Sequence, residues 1–147
     1  MTGDIGNRIG VVLCCHGEMA AGLKSAAEMI VGPQGGLAAV GVRPSDGRGE
    51  VEEALARAAL AVDAGAGVLV LTDLAGGTPC VEAARRRGPA TELVVGVNLP
   101  ALIKVLIDRG AARDVHELAG AAVEYGRRHV ASGSELYAPA GGDGVER

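Results

Sequence analysis

Gly67-Val68-Leu69-Val70-Leu71-Thr72-Asp73-Leu74-Ala75-Gly76-Gly77-Thr78-Pro79 passes from an unbroken apolar run to a carboxylate, two glycines and a helix-starting pair. An apolar run without alternation reads as a strand buried on both faces, which belongs to a parallel sheet covered by helices. Thr78 reads as the helix N-cap and Pro79 as the first helical residue. The unit is therefore strand, loop, helix, with Asp73 at the carboxyl end of the strand.

The same unit recurs on either side. Ile9–Cys15 reads as a first strand, followed by His16-Gly17 and a helix with Met19, Leu23, Ala26 and Ile30 on one face. Gly32-Pro33 stops that helix. Leu37–Val42 is a second strand. Ser45 or Asp46 can cap the next helix, whose stripe is Val51, Leu55, Ala58 and Val62. The third helix is expected from Thr78 to Gly88-Pro89, with Arg85-Arg86-Arg87 in its last turn. A fourth strand spans Glu92–Val97, a short helix Pro100–Arg109, and a last helix runs from an Asp114/Glu117 capping box to His129. Ser134–Ala138 has room for a short fifth, antiparallel strand.

Strands alternating with helices give an α/β fold: a single-domain, three-layer, doubly wound, mainly parallel sheet. Right-handed crossovers and this length suggest the strand order 2-1-3-4. The domain is expected over residues 9–138, with 1–8 and 139–147 as flexible tails. In that order the first and third strands are neighbours, and the chain leaves them toward opposite edges. Their carboxyl ends flank the switch point where such sheets bind ligands. His16 follows one strand and Asp73 the other.

A carboxylate accepting from one imidazole nitrogen fixes the tautomer and leaves the other nitrogen basic and aimed. If Asp73 holds Nδ1–H, Nε2 is the nucleophile. Gly76, Gly77 and Thr78 would form an anion cradle at the start of the third helix. An imidazole nucleophile beside a phosphate-sized cradle points to a phosphohistidine intermediate. The same residues also read as a hydrogen-bonded structural histidine, a turn carboxylate and a plain glycine turn. Spacing alone leaves both readings standing. The glycines are neither a Walker loop nor a dinucleotide fingerprint. A hydrolase with Thr78 or Cys80 as nucleophile lacks a supporting elbow motif. His116 and His129 occupy polar-looking positions on the last helix and read as surface residues.

Composition narrows the classes. The chain has no Phe, no Trp and only Tyr125 and Tyr137, so stacking platforms for sugar or nucleic acid are missing. A formal net charge of -4 also speaks against nucleic acid. Cys14, Cys15 and Cys80 are an odd count without zinc spacing, which reads as buried thiols in a reducing compartment, with no metal and no cofactor expected. There is no bilayer-length apolar stretch and no charged, apolar leader, so a cytoplasmic protein is expected.

Three segments in order carry a resemblance: His16-Gly17-Glu18-Met19-Ala20 with Leu23 and Ala26-Ala27-Glu28-Met29; Gly67 to Pro79; and Gly96-Val97-Asn98-Leu99-Pro100. Over about Ile9 to Val130 the chain resembles the IIA component of the mannose-type (mannose/fructose/sorbose) sugar phosphotransferase system. The resemblance implies that His16 takes a phosphoryl group from the general histidine phosphocarrier protein and hands it to a IIB partner. Contact with the membrane would then be only indirect, through IIC/IID. It implies that Asp73 orients His16 and that Thr78 stands where the family usually has a phosphate-contacting Ser. It also implies a homodimer with an exchanged C-terminal strand. The chain departs from the family at Val81, where an Asn is frequent, and a separate protein is expected as acceptor. Met19, Leu74, Leu99 and Leu102 are candidates for an apolar partner rim. The alternatives are a regulatory IIA protein read by some other target, the carrier subunit of a dihydroxyacetone kinase, and a flavodoxin-like anion-binding module without chemistry.

Overall fold

A computed structural model describes residues 8–137 and 139. Four parallel strands, β1 (Gly10–His16), β2 (Leu37–Val42), β3 (Val68–Thr72) and β4 (Thr91–Val95), form one sheet in the order β2-β1-β3-β4. The helices are α1 (Met19–Val31), α2 (Arg48–Val62), α3 (Thr78–Ala84), α4 (Leu99–Asp108), α5 (Val115–Arg128) and the short α6 (Gly133–Leu136). The expected α/β architecture and strand order are therefore present.

The side-chain alternation of β1 builds both layers. Val11, Leu13 and Cys15 join Leu69 and Leu71 of β3 under α1, α4 and α5, while Val12 and Cys14 join Val68 and Val70 under α2 and α3. Each such Val or Leu contributes about 1.5–3 kcal/mol when fully buried. Handedness decides which helix covers which face. The step from β1 to β2 runs toward one edge with α1 on one face. The step from β3 to β4 runs toward the other edge, so its right-handed crossover puts α3 on the opposite face. A crevice opens between them at the carboxyl ends of β1 and β3.

Several boundaries differ from the sequence expectation. Asp46 does not cap α2; its Oδ2 accepts the Arg43 N–H at 2.8 Å, and nothing places Ser45 at the cap either. Extended Gly47 is the cap, and the Glu50 carboxylate folds back to accept the Gly47 N–H at 2.8 Å. Helix α3 ends at Ala84, short of the expected Gly88-Pro89. Gly88 instead exchanges backbone bonds with Thr91, so Arg85–Arg87 follow the helix rather than close it. Strand β4 stops at Val95, where Gly96 turns to φ +83°.

Asn98, a favoured cap residue that the sequence expectation leaves unassigned, caps α4 by accepting the Ala101 N–H at 2.9 Å and ties it to α5 by donating to the Gly126 carbonyl at 3.0 Å. Asp114 caps α5 by accepting the Glu117 N–H at 2.8 Å, but the expected box does not close: the Glu117 carboxylate accepts the Arg113 N–H at 2.9 Å instead. Residues 134–136 are not a strand but part of the helical turn α6, where Glu135 reaches back to the Ser132 hydroxyl at 3.3 Å. Ala138 and most of the two expected tails lie outside the described residues.

Candidate functional site

His16 ends β1, and Asp73 directly follows β3. Strands β1 and β3 are hydrogen-bonded neighbours in register Cys14 to Thr72, so the two side chains meet across one strand spacing. Both the His16 backbone N–H and its ring Nδ1 reach the same oxygen, Asp73 Oδ2, at 3.0 and 2.9 Å. A carboxylate only accepts, so Nδ1 carries the proton, and in the neutral imidazole Nε2 is then the nitrogen with the lone pair. The Asp73 side chain is 12% exposed and the imidazole 47%. Burial works to raise the Asp73 carboxyl, but the hydrogen bonds from His16 prevail and hold it below the ordinary value.

The turn after His16 is held by the neighbouring strand. Gly17 adopts φ +58° and its N–H donates to the Val42 carbonyl at 2.8 Å. The other wall is the loop before α3. Gly76 adopts φ +82°, and a Cβ added to Gly77 would lie 2.6 Å from His16 Cε1 and 3.1 Å from Nε2. Gly77 is thus glycine for a steric reason: its bare Cα lies along the ring edge that carries the free nitrogen. Gly77 is also the extended cap residue of α3, which places Thr78 and Pro79 inside the first turn rather than at cap and first position. The Thr78 side chain makes no cap bond and stands exposed beside the crevice.

Two hollows border the loops that follow β1 and β3. One, of about 330 Å³, is lined by Gly17, Glu18 and Arg43 among others; the second, of about 250 Å³, by Gly76, Thr78, Arg48 and Glu82 among others. A cavity of about 590 Å³ lies elsewhere, between β4 and α5. His16 therefore stands on an open surface. A small-molecule enzyme normally encloses its substrate, whereas an exposed nucleophile suits a macromolecular partner.

The remaining candidates sort by burial. Met19 is 40% and Leu74 61% exposed, so both are available at the rim. Leu99 is half-buried and packs against the core. Leu102 is no rim residue: with Ala101, Val105 and Leu106 it forms the α4 face turned to the sheet, fully buried. Val81, 41% exposed, joins the apolar surface instead. Its signal was the missing Asn, which turned a polar position into an apolar one.

Cys14 and Cys15 point to opposite core layers, and burial, then the Asp73 charge, pushes both thiols up to about 12. They stay protonated and inert at neutral pH. Cys80 is half-buried in α3. His129 stacks on Tyr125 at 3.8 Å, and His116 pairs with Glu92, both away from the crevice. Among the described residues no group of three or more His, Cys, Asp or Glu side chains is placed to hold a metal ion. No described helix is long and apolar enough to cross a membrane.

Comparison with known proteins gives the family of the chain. The family model for the PTS system fructose IIA component matches residues 10–123. The chain is 33% identical over 124 residues to the mannose-specific EIIAB component of Escherichia coli K12, covering 83% of this chain but only 38% of that protein. It is 33% identical over 100 residues to the fructose-specific EIIA component of Bacillus subtilis 168, covering 67% of this chain and 68% of the relative. The mannose/sorbose specific IIA subunit from Enterococcus faecalis superposes with a TM-score of 0.75 at 32% identity, over 85% of this chain and 94% of that one. The chain belongs to the mannose-type family of IIA components of the sugar phosphotransferase system.

Proposed function

We propose that the chain is a cytoplasmic phosphohistidine carrier. It accepts a phosphoryl group on His16 from the general histidine phosphocarrier protein and passes it to a IIB partner for sugar uptake and phosphorylation. The domain of residues 9–138 performs this alone, without cofactor or metal. The observation that carries the reading is the double contact of His16 with Asp73 Oδ2, which turns Nε2 toward an open surface. The Nε2 lone pair attacks phosphorus, the P–N bond of the donor phosphohistidine breaks, and the donor imidazole leaves. Positive charge grows on the His16 ring as the bond forms, and Asp73 opposes it. Gly76, Gly77 and Thr78 border the space beside Nε2 and contact the phosphoryl oxygens. Met19, Leu74 and Leu99 supply apolar contact to both protein partners in turn.

The test is to mix the protein with phosphoenolpyruvate, the first enzyme of the system and the phosphocarrier protein, and to follow acid-labile label. His16→Ala is expected to lose the label completely while remaining folded. Label that persists in this variant removes His16 from the site.

A further inference from the structure

Helix α3 is only seven residues long, and its cap residue Gly77 has no side chain with which to hold the helix end. Two apolar side chains, Pro79 and Ala83, are buried along it, and so is a carboxylate: Glu82, 3% exposed. Glu82 Oε2 lies 3.1 Å from Nε of Arg48, the first residue of α2, and 3.6 Å from Nε of Arg85, just past α3. Its other oxygen is buried and accepts nothing among the described residues. The carboxylate, the two guanidinium groups, Gly76 and Thr78 line the same hollow of about 250 Å³. Burying an ionised carboxylate is costly unless it is paired. A helix needing only adhesion would place an apolar residue here.

We propose that Glu82 is a positioning residue for the reaction at His16. By clasping Arg48 it ties α3 to the start of α2 and so fixes the loop whose Gly77 lies against the Cε1–Nε2 edge of the imidazole. Gly77 and Glu82 are five residues apart on one rigid rod. A shift of α3 therefore appears directly as a change in the gap where the phosphoryl group must fit. This inference rests on the phosphocarrier reading above and adds a residue that touches neither the ring nor the phosphoryl group.

The charge arrangement also decides which variants fold. Arg48 and Arg85 are more than half exposed, so removing Glu82 returns both cations to water and leaves no buried charge unpaired. Removing Arg48 instead strands the buried carboxylate with Arg85 alone. Glu82→Gln is thus the milder change, and Arg48→Lys keeps a cation in place.

The experiment uses phosphoramidate as a small donor, which needs no docking surface: its P–N bond breaks, a bond to Nε2 forms and ammonia leaves. Glu82→Gln is expected to keep a native amide spectrum while labelling of His16 slows by about tenfold, as sub-ångström misplacement of a reacting group does. Arg48→Met should slow labelling similarly, Arg48→Lys should restore most of it, and Glu82→Gln/Arg48→Met should be no slower than the slower single variant. The His16 Cε1–H resonance and the Gly76 and Gly77 amides should move in Glu82→Gln. Wild-type rates, or slower labelling with those resonances unmoved, overturn the proposal. If the wild-type protein takes no label at His16, the phosphocarrier reading fails. The ring and amide resonances still decide whether Glu82 sets the loop.

Discussion

Two histidine–carboxylate pairs of nearly the same local geometry occur among the described residues, and only one of them stands at the crevice between β1 and β3. His16 Nδ1 lies 2.9 Å from Asp73 and His116 Nδ1 lies 3.1 Å from Glu92; both imidazoles are 47% exposed. The difference is in what holds the carboxylate and what faces the other ring nitrogen. Asp73 sits at the carboxyl end of a buried strand, takes the His16 N–H as well as the ring, and is itself 12% exposed. Glu92 lies on the edge strand β4, is 28% exposed, and spends its other oxygen on the N–H of Leu93. Beside His16 a glycine clears the ring edge that carries Nε2. A histidine beside a carboxylate is thus common surface chemistry until the backbone removes its freedom and opens one side.

The sharpest way to break this contrast is to delete each imidazole. His116→Ala should accept phosphoryl label at the wild-type rate, whereas His16→Ala accepts none. Equal loss in both variants would mean that the label is not carried at the crevice. Next in size is Gly77→Ala. Its methyl group would meet His16 Cε1 at 2.6 Å and the loop or ring must move, so labelling should fall by about a hundredfold with the fold kept. Single-turnover labelling checks it, and an unchanged rate would show that the glycine edge does not bound the phosphoryl site.

The contrast also explains what was legible before the structure. The strand order and the meeting of His16 with Asp73 followed from continuous apolar runs and from handedness, both of which are global and leave few alternatives. The double hydrogen bond on one Asp73 oxygen was not legible, because it depends on register to a fraction of a residue. The expected end of α3 at Gly88-Pro89 rests on the Gly-Pro stop signal, and nothing in Arg85-Arg86-Arg87 marks the earlier end at Ala84. Glu82 reads as an ordinary exposed helix residue until α2 is packed against it. Leu102 was misread for a related reason: on a helix of ten residues, one step of 100° separates rim from core.

Asp73→Asn sharpens the same comparison at smaller amplitude. The side chain keeps its size but loses the charge that fixes the Nδ1–H tautomer and opposes positive charge on the ring. Labelling should slow by about ten- to a hundredfold, the usual effect of losing a carboxylate that orients a histidine. Its folded-state value lies below the ordinary one, so Asp73 contributes stability above the unfolded value of about 3.9, lost as pH falls through the lower folded value. The acid limb of an unfolding titration should therefore flatten in Asp73→Asn. A wild-type limb together with wild-type labelling would reduce Asp73 to a turn residue.

The smallest effect belongs to the other pair. The hydrogen bond that the His116 ring donates to Glu92 raises His116 above its ordinary value, against some loss of hydration, with further help from the Glu92 charge, the Pro89 backbone and Asp114. Glu92 is lowered first by the Leu93 N–H, then by His116 and by Arg87, which outweigh its own burial. A raised histidine stabilises below its unfolded value, about 6.5, and loses that contribution as pH rises through the folded value. A lowered carboxyl stabilises above its unfolded value, about 4.3, and loses it on acidification. The contact between α5 and β4 is accordingly tightest between those limits and loosens toward alkaline pH, by the small amount expected of an exposed ion pair. In a proton-resonance titration His116 should titrate above the ordinary imidazole value, and Glu92→Gln should bring it back. The same variant should leave His16 labelling untouched. If Glu92→Gln instead slows labelling at the crevice, the edge pair and the crevice pair are coupled through the sheet, and the two histidines are no longer separable by their surroundings alone.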